Sequence, residues 1–492
     1  MSLALRALAL TPKLLPQLTC SLALGLCCLA QTETRNDTQD KARPQPQAQT
    51  ADRGETLERL REDYAMRFME PEPHMALAKY FRDRGDRLRA FYVLETARRG
   101  RFEEKEFDAA FQTYFLGRKS FDNGKEAEAK LLAELALRPD SPDTLFGLAD
   151  IYVSREDYAK AKPYLNKLIA REPDDFENTR ALARVYEREG DEAEGLRLLR
   201  AWAAAHPSAP ESYGVRLSDI PENEPARAKA LLAEAATKFP KVASFTFYLA
   251  GIHLREGNLK EAERLYVRAA ELAPDSSEVQ AWVGRFFFKA VPDDRRALDY
   301  YLNAYLLDPH AYETEFVESR IPKLDARLSE ATLREQLARN VPLTKIVEDP
   351  SPSVVMGAIE EMGKRWRPEY LKALVELMAH DDGGVRWAAT ELLKTKADAS
   401  FDPTLDALLE DKDLRRRGLA AYVAVHRWKA RGVERVRPML AERAQLLRFD
   451  AISALVLEGG PVGLQIVRAH AARETHPRLK KLIESASQDR EQ

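Results

Sequence analysis

Two stretches of 34 residues, laid end to end over Pro142–Ala209, superimpose on one another. The first reads PDTLFGLADIYVSREDYAKAKPYLNKLIAREPDD and the second FENTRALARVYEREGDEAEGLRLLRAWAAAHPSA. Leu148 falls on Leu182, Ala149 on Ala183, Tyr152 on Tyr186, Ala161 on Gly195, Leu165 on Leu199 and Pro173 on Pro207. A fixed offset of this kind restricts the chain to architectures that grow by stacking one small unit on the next. Each unit reads as two helices. Ala149, Ala161 and their counterparts are small enough to let the pair approach closely, and Tyr152 and Leu165 fill the space between. The prolines stop the second helix, because the ring cannot continue it.

The small residue that opens each second helix traces the ladder along the chain: Ala90, Ala127, Ala161, Gly195, Ala228, Ala262 and Ala297, at intervals of 33 to 37 residues. Four units match well, around Leu77/Ala78/Phe81, Leu148/Ala149/Tyr152, Leu182/Ala183/Tyr186 and Leu249/Ala250. The unit of Val283, Gly284 and Phe287 carries one extra residue near Val291-Pro292. The units of Ala127 and Ala228 have poor first helices, the latter because Ile220-Pro221 to Pro225 interrupts the pattern. This pattern resembles the tetratricopeptide repeat, a helix–turn–helix unit. The resemblance implies an all-α fold, an α-α superhelical solenoid over 55–309. A capping helix opens it from about Glu55 to Met69, with Leu57, Leu60, Tyr64 and Phe68 at helical spacing.

After Asp308-Pro309 the pattern fades, and 310–340 reads as an adaptor covering the last apolar face, with Tyr312 and Phe316 among its apolar residues. A second, shorter repeat occupies 341–487. Asp349-Pro-Ser-Pro-Ser-Val-Val355, Asp381-Asp-Gly-Gly-Val385-Arg386, Asp411-Lys-Asp413-Leu-Arg-Arg416 and Gln445-Leu-Leu-Arg448 recur roughly every 30 residues, each before an apolar helix. Acidic or small residues suit the helix start, and the arginine can reach the neighbouring unit's turn. This is similar to HEAT-like repeats, so the whole is expected to be a tetratricopeptide array followed by a HEAT-like array.

The N-terminus carries a different signal. Residues 1–30 have Arg6 and Lys13, no acidic residue, and then an apolar run from Leu14 to Ala30 with small residues at Cys28 and Ala30. This reads as a secretory signal peptide cut before Gln31. The competing readings are a lipidated cysteine, poorly matched by Leu26 or Cys27 before it, and a retained anchor helix at the lower limit of spanning length. Residues 31–54 lack any large apolar side chain and read as a disordered linker. Export to the periplasm or cell envelope is the expectation common to these readings.

Chemistry is sought and not found. The three cysteines, Cys20, Cys27 and Cys28, all lie in the leader, so cleavage would leave a chain without thiols. The eight histidines are scattered, with no His-Glu-x-x-His. Gly459-Gly460-Pro461-Val-Gly463 lacks the Lys-Ser/Thr of a phosphate loop and reads as a turn. No catalytic residue, cofactor or metal site is expected, and the chain is read as a non-enzyme. A net charge of -3 gives no global argument for nucleic acid.

Binding surfaces remain. In tetratricopeptide arrays the first helices line the groove, which here places Phe146, Asp150, Arg180, Arg184 and Arg188, then Phe247, Tyr248 and Arg255, then Trp282, Arg285 and Lys289. Phe146, Asp150 and Ala181 stand where a chaperone-tail clamp would need other residues. The aromatic and cationic end suits a protein or peptide segment with apolar and carboxylate side chains. The competing reading packs Trp282 and Phe288 on the adaptor. The second surface is 414–437, with Arg415, Arg416, Arg417, Arg427, Lys429, Arg431, Arg435 and Arg437 around Tyr422 and Trp428. It is read either as a site for anionic envelope glycan or lipid, or as a solvated helix face balanced by Glu410, Asp411 and Asp413. The expected function is an exported scaffold; an accessory subunit of an enzyme complex is the remaining alternative.

Overall fold

The structure, a computed structural model, describes residues 52–98, 102–117, 125–221, 223–309 and 317–488, and every regular element among them is helical. The chain begins with α1 (Asp52–Met66), α2 (Pro71–Asp83), α3 (Arg87–Arg98) and α4 (Glu104–Ala110), the last running into a π-helical turn at Phe111–Phe115. There follow α5 (Lys125–Leu137), α6 (Pro142–Ser154), α7 (Tyr158–Arg171), α8 (Phe176–Arg188) and α9 (Glu192–Ala205). Next are α10 (Pro210–Ser218), α11 (Pro225–Lys238), α12 (Ala243–Arg255), α13 (Leu259–Leu272) and α14 (Ser277–Lys289). The C-terminal half holds α15 (Asp294–Leu307), α16 (Ile321–Ala338), the short α17 (Leu343–Ile346), α18 (Pro352–Lys364), α19 (Tyr370–Leu377) and α20 (Gly383–Lys396). It ends with α21 (Asp402–Leu408), α22 (Leu414–Trp428), α23 (Ala430–Val436), α24 (Gln445–Glu458), α25 (Gly460–His470) and α26 (Pro477–Gln488).

The leader, the linker up to residue 51 and the segment with Tyr312 and Phe316 lie outside the described residues. The expected linker reached Gly54, whereas α1 already starts at Asp52. Contacts divide the fold into two compact units. One is Phe121–Pro292, and the other joins Gln45–Ser120 to Asp293–Gln492. The division expected from sequence, one array over 55–309 and another over 341–487, is therefore not the one the contacts make. Residues 52–117 belong with the C-terminal helices, for reasons of packing given below.

In the first unit the α6–α7, α8–α9 and α12–α13 pairs are closed by a tight turn of one design. Gly190 at φ 86° lets its N–H reach Glu187 O at 2.9 Å, while Asp191 N–H donates to Tyr186 O at 2.9 Å. These two bonds satisfy carbonyls that the helix end would otherwise orphan. The same outer bond recurs 34 residues earlier, from Asp157 N to Tyr152 O at 2.8 Å. There Glu156 occupies the left-handed region at φ 59°, where a side chain is strained. Helix starts are set by Ser141, Asp175, Asp191 and Ser276, whose side chains accept from Thr144, Glu177, Glu194 and Val279 N–H groups. Between the helices lie the expected residues: Leu148, Tyr152 and Ala161 in one cluster, Leu145, Ala149, Leu165, Leu168, Leu182 and Val185 in the next. A Cβ at Gly195 would stand 2.9 Å from Ala183 O, so α8 and α9 touch through backbone. The second helix of each pair packs on the first helix of the next, as α7 on α8 and α11 on α12.

The weak units are weak in the structure too. Helix α10 stops at Ser218, before the interrupting prolines, and Ala228 is only half-buried. Helix α5 buries none of its residues fully, Ala127 included.

The second unit stacks differently. Its longer helices pack on one another directly, α16 on α18, α18 on α20, α20 on α22 and α22 on α24. The recurring arginine does what its position implies. Arg386 donates to His380 O at 2.7 Å and Asp381 O at 2.9 Å, Arg417 to Leu409 O at 2.9 Å, and Arg448 to Glu442 O at 2.9 Å. Each thereby ties a helix start to the turn before it. In the middle repeat the residue in register is Arg417, where the sequence reading placed Arg416. Asp382 and Asp413 cap α20 and α22. Helices α1 to α3 complete this unit: α1 packs on α22 and α24, and α3 on α15.

Candidate protein-binding face

The aromatic residues expected on α12 and α14 do converge. Phe247 and Trp282 meet edge to face with ring centres 6.5 Å apart, and Tyr248 stands 5.3 Å from Phe247. Arg285 stacks over Trp282 at 4.8 Å, a cation–π arrangement. Tyr248, Trp282 and Arg285 are half-buried, whereas Arg255 and Lys289, each in the last turn of its helix, are exposed. Phe247 corrects the expectation. It is 7% exposed and packs on Tyr266 at 5.6 Å, so it supports the face from below and offers little to a ligand.

Tyr266 on α13 was not singled out in the sequence, since it belongs to a second helix. Burial pushes its hydroxyl up to about 12, and the nearby positive charges of Arg255 and Arg285 oppose that shift. Both guanidinium groups therefore bear on one spot between α12, α13 and α14. A Cβ at Gly251 would lie 3.5 Å from the Tyr266 hydroxyl oxygen, an ordinary contact, so α12 passes close to that hydroxyl.

Further along the unit the expected line is more mixed. Phe146 on α6 is 50% exposed, and burial alone holds the Asp150 carboxyl above its usual range. Arg180 is buried and paired with Glu177, a correction to its placement as a groove residue. Burial raises the Glu177 carboxyl, and the charges of Arg180 and then Arg184 pull it back. Arg184 is half-buried and Arg188 exposed.

The basic stretch of 414–437 follows the second of its two readings, a face balanced by carboxylates that include Glu410, Asp411 and Asp413. Arg415, 6% exposed, donates to Asp381 at 2.9 Å and to Asp413 at 2.7 Å. Arg416 holds Asp411 at 2.9 Å, and Arg417 holds Glu442. Arg427 donates to Asp402 at 2.9 Å and to the Ala397 and Asp398 carbonyls. Arg431 and Arg435 share Asp406, and Arg437 pairs with Glu434. Trp428 is half-buried under Arg431, whose guanidinium lies 4.4 Å from its ring centre. Lys429 is exposed, at φ 51° in the turn between α22 and α23. The free cationic patch is thus absent as such. Helix stacking brings Arg415, Arg427, Arg431 and Arg435 a carboxylate from the preceding pair and Arg417 one from the next, which a linear count of charges cannot show. Arg416 and Arg437 pair locally. A glycan or lipid site there loses its electrostatic basis.

Among the described residues no group of three His, Cys, Asp or Glu could hold a metal ion, and no helix is long and apolar enough to cross a membrane.

Comparison with known families agrees with the helix pairs. Residues 146–210 and 221–285 each match a tetratricopeptide repeat model. These two stretches are tetratricopeptide repeats. No relative is found among curated proteins. Among solved structures, the chain is similar to human IFIT1, in a dimer with m7Gppp-AAAA, at 14% identity over 70% of this chain and 95% of that one, TM-score 0.29. It is also similar to the P58(IPK) TPR domain, at 14% identity over 78% of this chain and 97% of that one, TM-score 0.23. The Cut9–Hcn1 assembly gives 12% identity over 85% and 72% of the two chains, TM-score 0.29. Scores this low carry nothing about a shared ligand. The tetratricopeptide repeats support a protein-interaction scaffold.

Proposed function

We propose that this scaffold is exported, is not an enzyme, and captures a segment of a partner protein on the α12–α14 face. The observation that carries the reading is the stacked Arg285–Trp282 pair beside Tyr248, with exposed Arg255 at the end of the same helix row. Half-buried aromatic rings offer large contact area at low entropy cost, and guanidinium groups next to them favour a carboxylate. The partner segment is therefore one that alternates apolar and acidic side chains. Export rests on the N-terminal sequence, positive and then apolar over 1–30.

The test is a crosslinked pull-down of the full-length protein from its own cells, with the bait's N-terminus read by mass spectrometry. A start at Gln31 and a defined set of envelope proteins are expected. The double variant Trp282→Ala/Arg285→Ala should lose those partners by at least about tenfold, the size of a hot-spot loss, with unchanged helicity. Equal capture by that variant would sink the proposed face, and an intact Met1 together with cytoplasmic or nucleic-acid-associated partners would sink export.

A further inference from the structure

Residues 52–117 belong to the second unit although some 170 residues of chain separate them from the rest of it. Their contacts have the character of a ligand in a receptor site. The Asp381 carboxylate, 4% exposed, sits in the loop before α20 and is held by Arg415 of the C-terminal array. Arg61 of α1 grips both of its oxygens, with Nε donating to Oδ1 at 2.7 Å and Nη2 donating to Oδ2, and Arg89 of α3 stands 3.9 Å from Oδ2. At the end of α1 the backbone itself is read. Met69 N–H donates to Gln445 Oε1 at 2.8 Å, and Met69 O accepts from Arg478. Phe68, 2% exposed, packs on Phe449 with ring centres 5.3 Å apart. Further along, fully buried Phe91 meets Tyr305 edge to face at 4.8 Å, and the Tyr305 hydroxyl donates to Glu95 at 2.6 Å. Tyr92 donates to the buried Asp325 at 2.7 Å.

These contacts reach from α15 to α26, and several fall at the recurring helix starts: Asp381 before α20, Gln445 at the start of α24, Arg478 at the start of α26. A carboxylate shared between arginines of two different segments, backbone groups met by side chains, and buried aromatic anchors are how proteins bind a separate helical segment.

We propose that the C-terminal array carries a receptor site for the chain's own N-terminal helices, filled in cis. The site holds them by side-chain contacts sufficient in themselves, so the second unit stays closed when the chain between its two segments is cut. Covalent continuity through 121–292 then serves only to raise the effective concentration of one segment for the other. The proposal is independent of what the α12–α14 face binds.

The experiment uses the full-length protein with a protease site, flanked by glycine and serine, inserted between Gly117 and Arg118. After native cleavage the N-terminal fragment should co-elute with the remainder at low micromolar concentration, with unchanged circular dichroism, and should separate only in denaturant. Loss of the fragment without denaturant, whether or not the remainder stays folded, overturns the proposal. So does an uncut particle of twice the monomer mass whose cut fragments exchange between copies, since the occupant is then a second chain. Arg61→Ala/Phe68→Ala, cut in the same way, should release its fragment at least tenfold faster; release at the parental rate overturns the contacts assigned.

Discussion

Arginine gathers in two regions of this chain, and the two surroundings could hardly differ more. On α22 and α23, Arg415, Arg416, Arg417, Arg427, Arg431 and Arg435 all end on carboxylates or carbonyls of neighbouring turns. On α12 and α14, Arg285 ends on the face of Trp282, and the charges of Arg285 and Arg255 reach a buried tyrosine. The first region uses positive charge to join one helix pair to the next. The second presents it beside aromatic rings. Local density of basic residues is higher in the first, yet available charge is not. For Arg415, Arg427, Arg431 and Arg435 what decides is an acidic residue about 25 to 35 positions earlier, which stacking sets opposite. Arg416 takes Asp411 of its own turn, and Arg417 takes Glu442, one repeat later.

The largest expected effect tests whether the first region is structural. Arg415→Met takes the partner from half-buried Asp413 and one of three arginines from buried Asp381, which keeps Arg61 and Arg89, so unfolding free energy should fall by about 3 kcal/mol. Arg255→Ala, exposed at a helix end, should change it by no more than about 0.5 kcal/mol. Urea unfolding of both variants checks the contrast, and similar losses would erase it.

The two regions should also fail at opposite ends of the pH scale. Burial pushes the Asp381 and Asp413 carboxyls up, but hydrogen bonds and charge from Arg61 and Arg415 outweigh it and hold both below the usual range. A folded value below the unfolded one, about 3.9 for aspartate, gives stability that is complete above that pH. It is lost as pH falls through the folded value. Tyr266 has the opposite sign. Its folded value near 12 lies above the ordinary 10.0, so its contribution is complete below pH 10 and is lost as pH rises toward 12. Unfolding curves followed by tryptophan fluorescence at acid and alkaline pH would show it, with Arg415→Met flattening only the acid limb and Tyr266→Phe only the alkaline one.

The helix pairs were legible because their determinants are local. Ala161 and Gly195 at the close approach and Tyr152 in the interior report on partners within one repeat, and Pro207 follows directly on the helix it ends. Two features were not legible, for one physical reason. Asp381 is shared by Arg415 and Arg61, and Phe68 rests on Phe449, hundreds of residues away; neither pairing leaves a periodic trace. The same holds for Phe247, read as a surface residue from its first-helix position. Tyr266 and Trp282 from two other helices cover it. Arg417 shows an intermediate case, in which the repeat was visible but its register was one residue off, and only the bond to Leu409 O distinguishes the two arginines.

The smallest expected effect is also the sharpest probe of neutralisation. Arg431 and Arg435 are exposed, and face Asp406 and Glu410 across the helix pair at 2.8 to 3.4 Å. Exposed pairs of this kind contribute about 0 to 1 kcal/mol each, so Arg431→Ala/Arg435→Ala should leave unfolding nearly unchanged. Retention on an anionic polysaccharide column should be equally unmoved, because the charges removed were already answered by carboxylates. Asp406→Asn/Glu410→Gln is the informative opposite. It leaves the arginines in place, strips their partners and should raise the salt concentration needed for elution. If the parental protein is instead already held strongly, and Arg431→Ala/Arg435→Ala releases it, the pairs do not cancel and the stretch acts as a cationic surface after all.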